Sequence, residues 1–242
     1  MFIKTITKKE KISHNTFLIV LGQTDDIDLK NSSFFVRIND KDNLRSRPYT
    51  PISVDNNEWM FLIKSYNCGG VADWICSRNP GEKLVISEPI YKIAYIDQES
   101  KNVLMLAGGT GITPMLQFIN RCARNLRYTV VFSNKTVDDI IINGEMVKKN
   151  VKVYHVISNE IECNQIEQKK CSEKYLRGRV TGKTINEITQ EANLDKFDFV
   201  YCCGPESYMD DVCGKKAEDK TQGELSGFLK ELGYTKNEVY KF

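Results

Sequence analysis

A glycine-rich turn constrains this chain more than any other feature. The eight residues from Gly108 to Met115, GGTGITPM, follow the apolar run Val103–Ala107 and precede the helix-like stretch Leu116–Ile119. Glycines between a buried strand and a helix let backbone N–H groups approach an anion, and the helix dipole favours negative charge there. We expect Thr113 to cap the helix and Pro114 to take its first position. This order of strand, turn and helix predicts a phosphate-binding turn.

The turn is not the standard dehydrogenase fingerprint, because Pro114 replaces its third glycine. A tight turn without a ligand is the alternative interpretation, since many loops carry glycines for backbone reasons alone. The residues that we expect to form the nucleotide site here are Gly108, Gly109, Thr110, Gly111, Thr113 and Pro114.

Length and charge exclude some classes of protein. With 242 residues, the chain is long enough for one large domain or two small ones. Its 41% hydrophobic and 27% charged residues are typical of a globular protein. The 34 basic residues nearly balance the 32 acidic ones, so we expect no nucleic-acid partner, which would require an excess of positive charge.

The N-terminal residues, the cysteines and the histidines indicate the compartment of the protein and whether it binds a metal. The first residues, Met1–Glu10, contain no apolar stretch long enough for a signal peptide or membrane anchor. Eight cysteines occur without a C-x-x-C pair, which favours reduced thiols in the cytosol. His14 and His155 lie far apart, so we expect no metal and interpret each as a surface or structural residue. We therefore expect a cytoplasmic protein without a membrane anchor.

Up to Asp97, short apolar or alternating runs separated by Asp, Asn and Gly predict a small antiparallel barrel with one helix, at Ala72–Cys76. The predicted strands there are 17–21, 34–38, 59–63 and 83–86.

Beyond that point, strands alternate with helical segments, which predicts a parallel sheet covered by helices. The predicted strands of this half are 103–107, 129–133, 151–156 and 197–202. The last helix is predicted at Glu224–Leu232, with one apolar face, and Gly233 ends it.

The barrel half contains the segment RPYTPIS, from Arg47 to Ser53. Two prolines around a tyrosine and a threonine are typical of an edge strand or a turn. The guanidinium of Arg47 also suits a phosphate, and the ring of Tyr49 with the hydroxyl of Thr50 suits a flat heterocycle with a polar edge. Both interpretations stay open at this point.

On these residues the chain resembles the ferredoxin-NADP reductase superfamily and, within it, the NADH-cytochrome b5 reductases. The resemblance covers nearly the whole chain. It rests on five motifs in the family's order: Arg47–Ser53, Ile63–Tyr66, Gly69–Asp73, Gly108–Met115 and Cys203–Met209. It implies two domains, an antiparallel β-barrel FAD domain at 1–97 followed by a doubly wound α/β NAD-binding domain at 98–242.

The resemblance also implies roles in the first half. Arg47 binds the FAD pyrophosphate, Tyr49 lies against the isoalloxazine, and Thr50 bonds near its reactive nitrogen. Lys64 and Tyr66 border the flavin and the incoming nicotinamide. The other cofactor-binding positions that it implies here are Pro48, Ser53, Ile63, Gly69, Gly70, Val71, Ala72 and Asp73.

In the second half, the family places Cys203 beside the nicotinamide carbon that loses hydride, with Gly204 and Pro205 in the same site. A turn at the end of a strand is the alternative. The spacing to Met209, also carried over as cofactor-binding, is one residue longer than in the nearest relatives and is more like bacterial oxygenase reductases and flavohaemoglobins. We interpret Cys202 as a packed neighbour. Thr50, Lys64 and Cys203 are the implied catalytic residues.

Two aspartates follow the second strand of the nucleotide half. A carboxylate there can bond a ribose 2′-hydroxyl and repel a 2′-phosphate. The resemblance points to Asp139 as the residue that selects NADH, whereas a capping role fits Asp138 better.

One residue departs from the family, which usually has Ser or Thr where this chain has Asp73. A carboxylate near a pyrophosphate is repulsive. Asp is also an excellent N-cap, so we expect the residue to serve the start of the helix.

The resemblance implies a flavoenzyme that passes hydride from NADH to FAD and then single electrons to cytochrome b5. We expect a monomer that meets a membrane only through its partner. Two alternatives stay open. One is an NADH-dependent reductase of another acceptor, such as a quinone, a ferric chelate or an oxygenase component. The other, motivated by Asp73, is a non-catalytic flavin or nucleotide sensor.

Overall fold

The computed structural model describes residues 1–22, 33–55, 57–92, 101–121, 126–142, 151–159 and 173–242. The chain divides into two compact units. The first comprises Met1–Tyr95 with Leu116–Cys122, and the second comprises Ile96–Met115 with Ala123–Phe242. The predicted change of pattern at Asp97 and the cysteines Cys122, Cys163 and Cys171 lie outside the described residues.

The first unit is an antiparallel sheet of eight strands with one helix, as predicted. Its strands are β1 (Phe2–Lys11), β2 (Thr16–Gly22), β3 (Ser33–Asn39), β4 (Ser46–Tyr49), β5 (Ser53–Asp55), β6 (Glu58–Lys64), β7 (Lys83–Ile86) and β8 (Ile90–Lys92), and its helix is α1 (Val71–Ser77). The strand order is β4-β3-β7-β1-β2-β6-β5, and β8 also pairs with β3.

The apolar positions of these strands converge on one core. Ile6, Ile19, Phe34 and Phe61 are almost completely buried, and Trp59 meets Phe34 edge to face with ring centroids 5.3 Å apart. Alternation along β2, β3 and β6 therefore directs every second side chain inward, as the sequence pattern predicts. Within this unit, the buried side-chain amide of Gln117 bonds both backbone groups of Phe34 and the carbonyl of Pro51.

The second unit is a six-stranded parallel sheet with helices. Its strands are β9 (Asn102–Gly108), β10 (Arg127–Asn134), β11 (Val151–Ile157), β12 (Glu173–Arg177), β13 (Phe199–Cys203) and β14 (Val239–Lys241), and its helices are α3 (Gly182–Glu191), α4 (Glu206–Val212) and α5 (Gly227–Glu231). The helix α2 (Ile112–Arg121) begins in this unit, and its residues from Leu116 onward belong to the first unit. The strand order is β12-β11-β10-β9-β13-β14.

The strand order reverses its direction between β9 and β13, which lie side by side. In open α/β sheets, ligands bind beyond the carboxyl ends of strands at such a reversal. Here those two ends carry the glycine turn that begins at Gly108 and the segment that begins at Cys203. The fold thus brings together two motifs that are almost a hundred residues apart in the sequence.

The predicted last helix is longer than the observed one. It was predicted from Glu224, but α5 begins at Gly227 because Ser226 is extended and Gly227 has a φ of +64°. A Cβ on Gly227 would lie 2.5 Å from the carbonyl oxygen of Asp211, so contact with α4 sets this backbone conformation. The predicted stop is confirmed, since Gly233 has a φ of +78° and its N–H bonds the carbonyl of Lys230.

The structure places His155 in the interior of the second unit. It lies on β11 with 0% of its surface exposed, and its ring stacks on Tyr175 with centroids 4.8 Å apart. Its Nε2 atom lies 3.7 Å from a carboxylate oxygen of Glu173, which is too long for a hydrogen bond. Burial lowers the pKa of His155 from 6.5 to about 4. The imidazole is therefore neutral and structural at neutral pH.

This burial predicts a loss of stability in mild acid. Between pH 6.5 and 4, the unfolded chain binds a proton on His155 that the folded chain excludes, so stability is full above this window and falls as the pH falls through it. We expect the free energy of unfolding to drop by about 2 kcal/mol from pH 7 to pH 5. Urea unfolding at a series of pH values measures the drop.

Two variants distinguish the contribution of His155 to this pH dependence from that of the other titratable groups. His155→Phe should flatten the profile between pH 7 and 5, whereas replacement of the exposed His14 by asparagine should preserve it. A drop of the same size in His155→Phe would contradict the assignment to this residue.

Within the described ranges, no helix is both long and apolar enough to cross a membrane.

Candidate functional site

The glycine turn of the second unit is shaped by close packing. Strand β9 ends at Gly108, a 3-10 turn spans Gly109–Gly111, and α2 follows without a break. A Cβ on Gly111 would lie 2.2 Å from the carbonyl oxygen of Cys203, and one on Gly108 would lie 3.0 Å from the ring of Pro205. Glycine is therefore required at position 111, where the turn meets the backbone after β13, whereas a side chain at position 108 would require Pro205 and Tyr208 to shift.

Gly109 differs from its two neighbours. It has a φ of +54°, in the left-handed region, and a Cβ placed on it would meet no atom within 4 Å. This is the one glycine of the turn whose surface is open to a ligand. Glycine there combines the backbone conformation of the turn with room for a phosphate.

The expected capping of α2 is wrong. The helix begins at Ile112, whose backbone is already helical, so Thr113 is its second residue rather than its N-cap. The 3-10 turn runs straight into the helix and leaves no extended residue to act as a cap. The hydroxyl of Thr113 instead donates to the carbonyl of Thr110 at 3.0 Å. Pro114 is the third residue of α2 rather than the first, where it was expected. It still lies in the first turn, where backbone N–H groups have no partner within the helix, so its missing N–H breaks no helical hydrogen bond.

Cys203 ends β13 opposite Ala107 of β9, and its side chain is partly exposed. Burial raises the pKa of its thiol to about 12, so the sulfur is protonated at neutral pH. A protonated thiol is a poor nucleophile, which favours a role in position and shape rather than in covalent chemistry. The neighbouring Cys202 is fully buried, in agreement with its interpretation as a packed residue.

The remainder of the CGPESYM segment packs against the glycines of this site. The ring of Tyr208 packs against both Gly108 and Gly204, where added Cβ atoms would lie 3.2 and 2.5 Å from it. Met209 is only 8% exposed and belongs to the same buried core cluster as Val212. Tyr208 was not predicted as a site residue, although the glycines that it contacts were the available signal.

Of the two aspartates after β10, Asp139 has the capping role that was expected of Asp138. Asp139 is only 8% exposed, and its carboxylate accepts bonds from the backbone N–H and the hydroxyl of Thr136, at 3.2 and 3.0 Å. Asp138 is exposed. The expectation that Asp138 is the better capping residue is therefore wrong, because Asp139 is the third residue of the 3-10 turn that Thr136 caps.

In the first unit, RPYTPIS begins in the edge strand β4, which pairs with β3. Pro48 is accommodated because an edge strand needs no N–H at its outer side. The guanidinium of Arg47 is exposed and donates to the carbonyl of Ser46 at 3.1 Å. Thr50 follows the strand and is half-buried, and the hydroxyl of Ser53 donates to the carboxylate of Asp55.

The ring of Tyr49 is half-buried at the end of β4. Burial raises the pKa of its hydroxyl well above the ordinary value, and the nearby Cys76, Tyr66 and Asp73 raise it further. Tyr49 therefore lies close to the loop that carries Tyr66, which is 60% exposed. Lys64 ends β6 and is half-buried.

Ile63 and Val71 belong to the apolar core of the first unit, so only their backbones can face a ligand. Gly69 has a φ of +68° with open space around its Cα, whereas Gly70 is the extended N-cap of α1. Ala72 is half-buried and packs against the same core. The guanidinium of Arg45 donates a hydrogen bond to the carbonyl of Gly69 at 3.3 Å.

Asp73 serves the start of α1 as expected, but as the third residue of the helix rather than its N-cap, because Gly70 is the N-cap and donates its N–H to the Asp73 carboxylate. Its carboxylate accepts five hydrogen bonds from the preceding loop, from the Ser65 hydroxyl at 2.7 Å and from the N–H groups of Tyr66, Asn67, Cys68 and Gly70 at 2.7, 3.0, 2.8 and 3.1 Å. The Ser65 hydroxyl, followed by the backbone N–H groups, holds the pKa of Asp73 far below its usual value. Asp73 is therefore ionised and fully bonded within the chain.

Among the described residues, no group of three or more His, Cys, Asp or Glu side chains is arranged to hold a metal. The groups that the two units offer, a cation and aromatic rings in one and an open glycine turn in the other, suit organic cofactors with phosphates.

Two domain families match the chain, one for each unit. Residues 4–95 match the oxidoreductase FAD-binding domain, and residues 105–214 match the oxidoreductase NAD-binding domain. Fold and site therefore define a flavin- and nicotinamide-dependent oxidoreductase class. NADH-cytochrome b5 reductase 2 of Candida albicans is 30% identical over 98% of this chain and 81% of its own length. The chain belongs to the NADH-cytochrome b5 reductase family.

Other comparisons agree. NADH-cytochrome b5 reductase 2 of Mycosarcoma maydis is 36% identical over 81% of this chain and 57% of its own length. The chain thus spans less than two thirds of the length of several relatives that it matches. The crystal structure of the cytochrome b5 reductase domain of Ulva prolifera nitrate reductase shares the fold, with a TM-score of 0.71, 19% identity and coverage of 99% of this chain and 96% of that one. The predicted fold class is confirmed.

The residues present fit both cofactors of this family. The open left-handed Gly109 at the end of β9 suits the pyrophosphate of NADH, and the exposed Arg47 suits that of FAD. The amides of residues 66, 67, 68 and 70 are committed to Asp73, so a flavin phosphate must find its partners elsewhere.

Proposed function

We propose that the chain passes electrons from NADH through bound FAD to cytochrome b5, with residues 1–97 as the FAD domain and 98–242 as the NAD(H) domain. The observation that carries the NADH part is the contact between the turn at Gly111 and the carbonyl of Cys203, where β9 and β13 end side by side. The choice of cytochrome b5 as the acceptor is supported by the names of two relatives. The proteins from Mycosarcoma maydis and Candida albicans are both called NADH-cytochrome b5 reductase 2.

On the nucleotide side, the turn at Gly109 and Thr110 would hold the pyrophosphate of NADH. Cys203 would place its protonated thiol beside the nicotinamide, and Gly204 and Pro205 pack against the glycine turn next to it. Because the thiol stays protonated, its contribution is shape and exclusion of water, not bond formation. The replacement Cys203→Ser should therefore slow flavin reduction without releasing FAD.

On the flavin side, Arg47 would bind the pyrophosphate and Tyr49 would support the isoalloxazine. Thr50 and Lys64 would border its polar edge, where both can donate hydrogen bonds. FAD, when bound, supplies the conversion of a two-electron donor into a one-electron donor. The protein contributes alignment and a site that excludes water.

We propose that Asp139 sets the preference for NADH over NADPH. Its fixed, negatively charged carboxylate would repel a 2′-phosphate, and Thr136 holds it in place. Asp139→Thr is expected to improve kcat/KM for NADPH about tenfold, which is a change of about 1.4 kcal/mol. Steady-state kinetics with both coenzymes measures this ratio.

The neighbouring aspartate is the matched control. Asp138→Asn removes the exposed carboxylate and leaves the Thr136 bonds intact. If the coenzyme ratio changes in Asp138→Asn and not in Asp139→Thr, the exposed residue is the selector and this assignment is wrong.

The acceptor is tested by a panel. Cytochrome b5, a quinone and a ferric chelate are each offered to the NADH-reduced protein over a range of salt concentrations, with flavin reduction recorded in parallel. We expect cytochrome b5 to be reduced fastest, and its rate to fall as the screening length shortens to about 8 Å at physiological ionic strength. Slow reduction of cytochrome b5 at every salt concentration, with rapid reduction of a small acceptor, would favour the alternative reductase.

The basic residues proposed for this docking are Lys41, Arg45, Lys64 and Lys92. In the structure Arg45 is paired with Asp40 at 2.9 Å, so its charge is already partly neutralised. Lys41 pairs with the exposed Asp42 at 3.9 Å but keeps 72% of its side chain exposed, against 60% for Arg45. Lys92 lies over the ring of Phe35. Lys41 is therefore the residue whose replacement by glutamate should weaken the salt dependence most.

A non-catalytic sensor is the second candidate, and anaerobic addition of NADH distinguishes it. Rapid bleaching of the flavin band is the result that we expect from the enzyme, whereas an unchanged band would favour the sensor. We further propose a cytoplasmic monomer. Sedimentation of the purified protein tests the monomer.

A further inference from the structure

The loop from Ser65 to Gly70 follows β6 and has a demanding backbone. Asn67 and Gly69 both have left-handed φ values, 53° and 68°. The N–H groups of four of its residues point toward one position. Amide dipoles that point at one position repel each other, so the arrangement costs free energy unless a negative charge lies there. A loop of this kind therefore needs an anion to hold its shape.

The chain supplies that anion itself. One oxygen of Asp73 accepts from the Ser65 hydroxyl and from the N–H groups of Tyr66 and Asn67. The other accepts from the N–H groups of Cys68 and Gly70. Serine or threonine, which the resemblance places at this position in the family, has one short hydroxyl and cannot bond five donors in this way.

The same loop borders the proposed flavin site. Tyr66 projects from it and is 60% exposed. The half-buried Tyr49 packs against the same core as Ala72, the neighbour of Asp73, and both Tyr66 and Asp73 raise the pKa of its hydroxyl. Arg45 fixes the far end of the loop through the carbonyl of Gly69. The loop therefore determines where Tyr66 stands relative to Tyr49.

We propose that Asp73 is a positioning residue that fixes the Ser65–Gly70 loop, and with it Tyr66, before the flavin binds. The loop amides then bond Asp73 rather than the cofactor. The charge of the pyrophosphate must be compensated by Arg47 and other groups. This inference rests on the proposed FAD site, but the shape of the loop in the flavin-free protein can be tested separately.

Hydrogen exchange tests that shape directly. In flavin-free wild-type protein, the amides of residues 66, 67, 68 and 70 are expected to exchange at least about tenfold more slowly than unbonded surface amides. Exchange at unprotected rates without flavin, followed by protection when FAD is added, would overturn the proposal. This measurement needs no variant and stays informative even if FAD does not bind, an outcome that would count against the proposed function alone.

Variants test the effect on the cofactor. Asp73→Asn keeps the size of the side chain but points an NH2 group at N–H donors, so we expect FAD to bind about tenfold or more weakly and the visible circular dichroism of the flavin to change. Asp73→Glu should restore part of both. The control is Asp219→Asn, which removes a carboxylate bonded to its own loop in the second unit.

The readouts separate positioning from simple stabilisation. Fluorescence titration with FAD and circular dichroism are recorded at a temperature at which every variant is folded. A residue that only stabilised the fold would lower the melting temperature and leave both flavin readouts unchanged, and that result would overturn the proposal. Tighter binding of FAD by Asp73→Ser would also overturn it, because the carboxylate would then be an obstacle to the pyrophosphate.

Discussion

Replacement of Gly111 by alanine is expected to destabilise the second unit by about 3 kcal/mol and to abolish reduction of the flavin by NADH. The added Cβ would lie 2.2 Å from the carbonyl oxygen of Cys203, 2.6 Å from its carbonyl carbon and 2.9 Å from the nitrogen of Gly204. All three are backbone atoms at the end of a central strand, so no side chain can move aside. Relief requires β9 and β13 to separate where the nicotinamide is proposed to bind.

Urea unfolding measures the loss of stability, and anaerobic mixing with NADH measures the loss of flavin reduction. Gly182→Ala is the matched control, because a Cβ there would meet only side-chain atoms, the nearest being the Cβ of Phe228 at 3.4 Å. That variant should stay within about 0.5 kcal/mol of the wild type and keep its activity. An unchanged urea midpoint in Gly111→Ala would show that the turn is less tightly packed than the structure indicates.

The replacement Arg47→Ala is expected to weaken FAD binding by about a hundredfold with little change in the stability of the flavin-free protein. A guanidinium makes charge-assisted bonds to phosphate oxygens, each of about 1.5 to 3 kcal/mol. The side chain is exposed on the edge strand β4, so its loss leaves no cavity. Titration of the stripped protein with FAD, followed by flavin fluorescence, measures the affinity.

Arg78→Ala is the control for this experiment. It removes another guanidinium of the first unit, one that pairs with Glu82 at 2.8 Å, and should leave FAD affinity within about twofold. Equal losses in both variants would mean that general positive charge, rather than a specific contact of Arg47, attracts the cofactor.

Much of the fold could be predicted from local patterns. Alternating runs predicted β2, β3, β6 and β7, and a continuous apolar run predicted the buried strand β9, because side-chain burial depends on the period of the strand itself. Gly233 was correctly predicted as the end of α5. Local patterns fail at the start of that helix, since the backbone of Gly227 is set by α4, and at the start of α2, where a 3-10 turn removes the need for a cap.

The candidate site also has features that the sequence predicted and features that it did not. Residue types and their order were enough to indicate the phosphate turn, the RPYTPIS segment and the strand-end cysteine, because each needs only a short stretch of chain to carry its chemistry. The capping role of Asp139, the five donors around Asp73 and the fit of Gly111 against Cys203 were not predictable. Each depends on the path of the backbone around it.

The sequence by itself determined the class of fold, the order of the elements and the family of the chain, since hydrophobic period, turn chemistry and short motifs are local properties. Only the tertiary structure decided which aspartate is buried, which glycine is open and which amides are already bonded. These properties depend on distances between segments that the chain brings together by folding, such as β9 and β13, and no local pattern encodes such a distance.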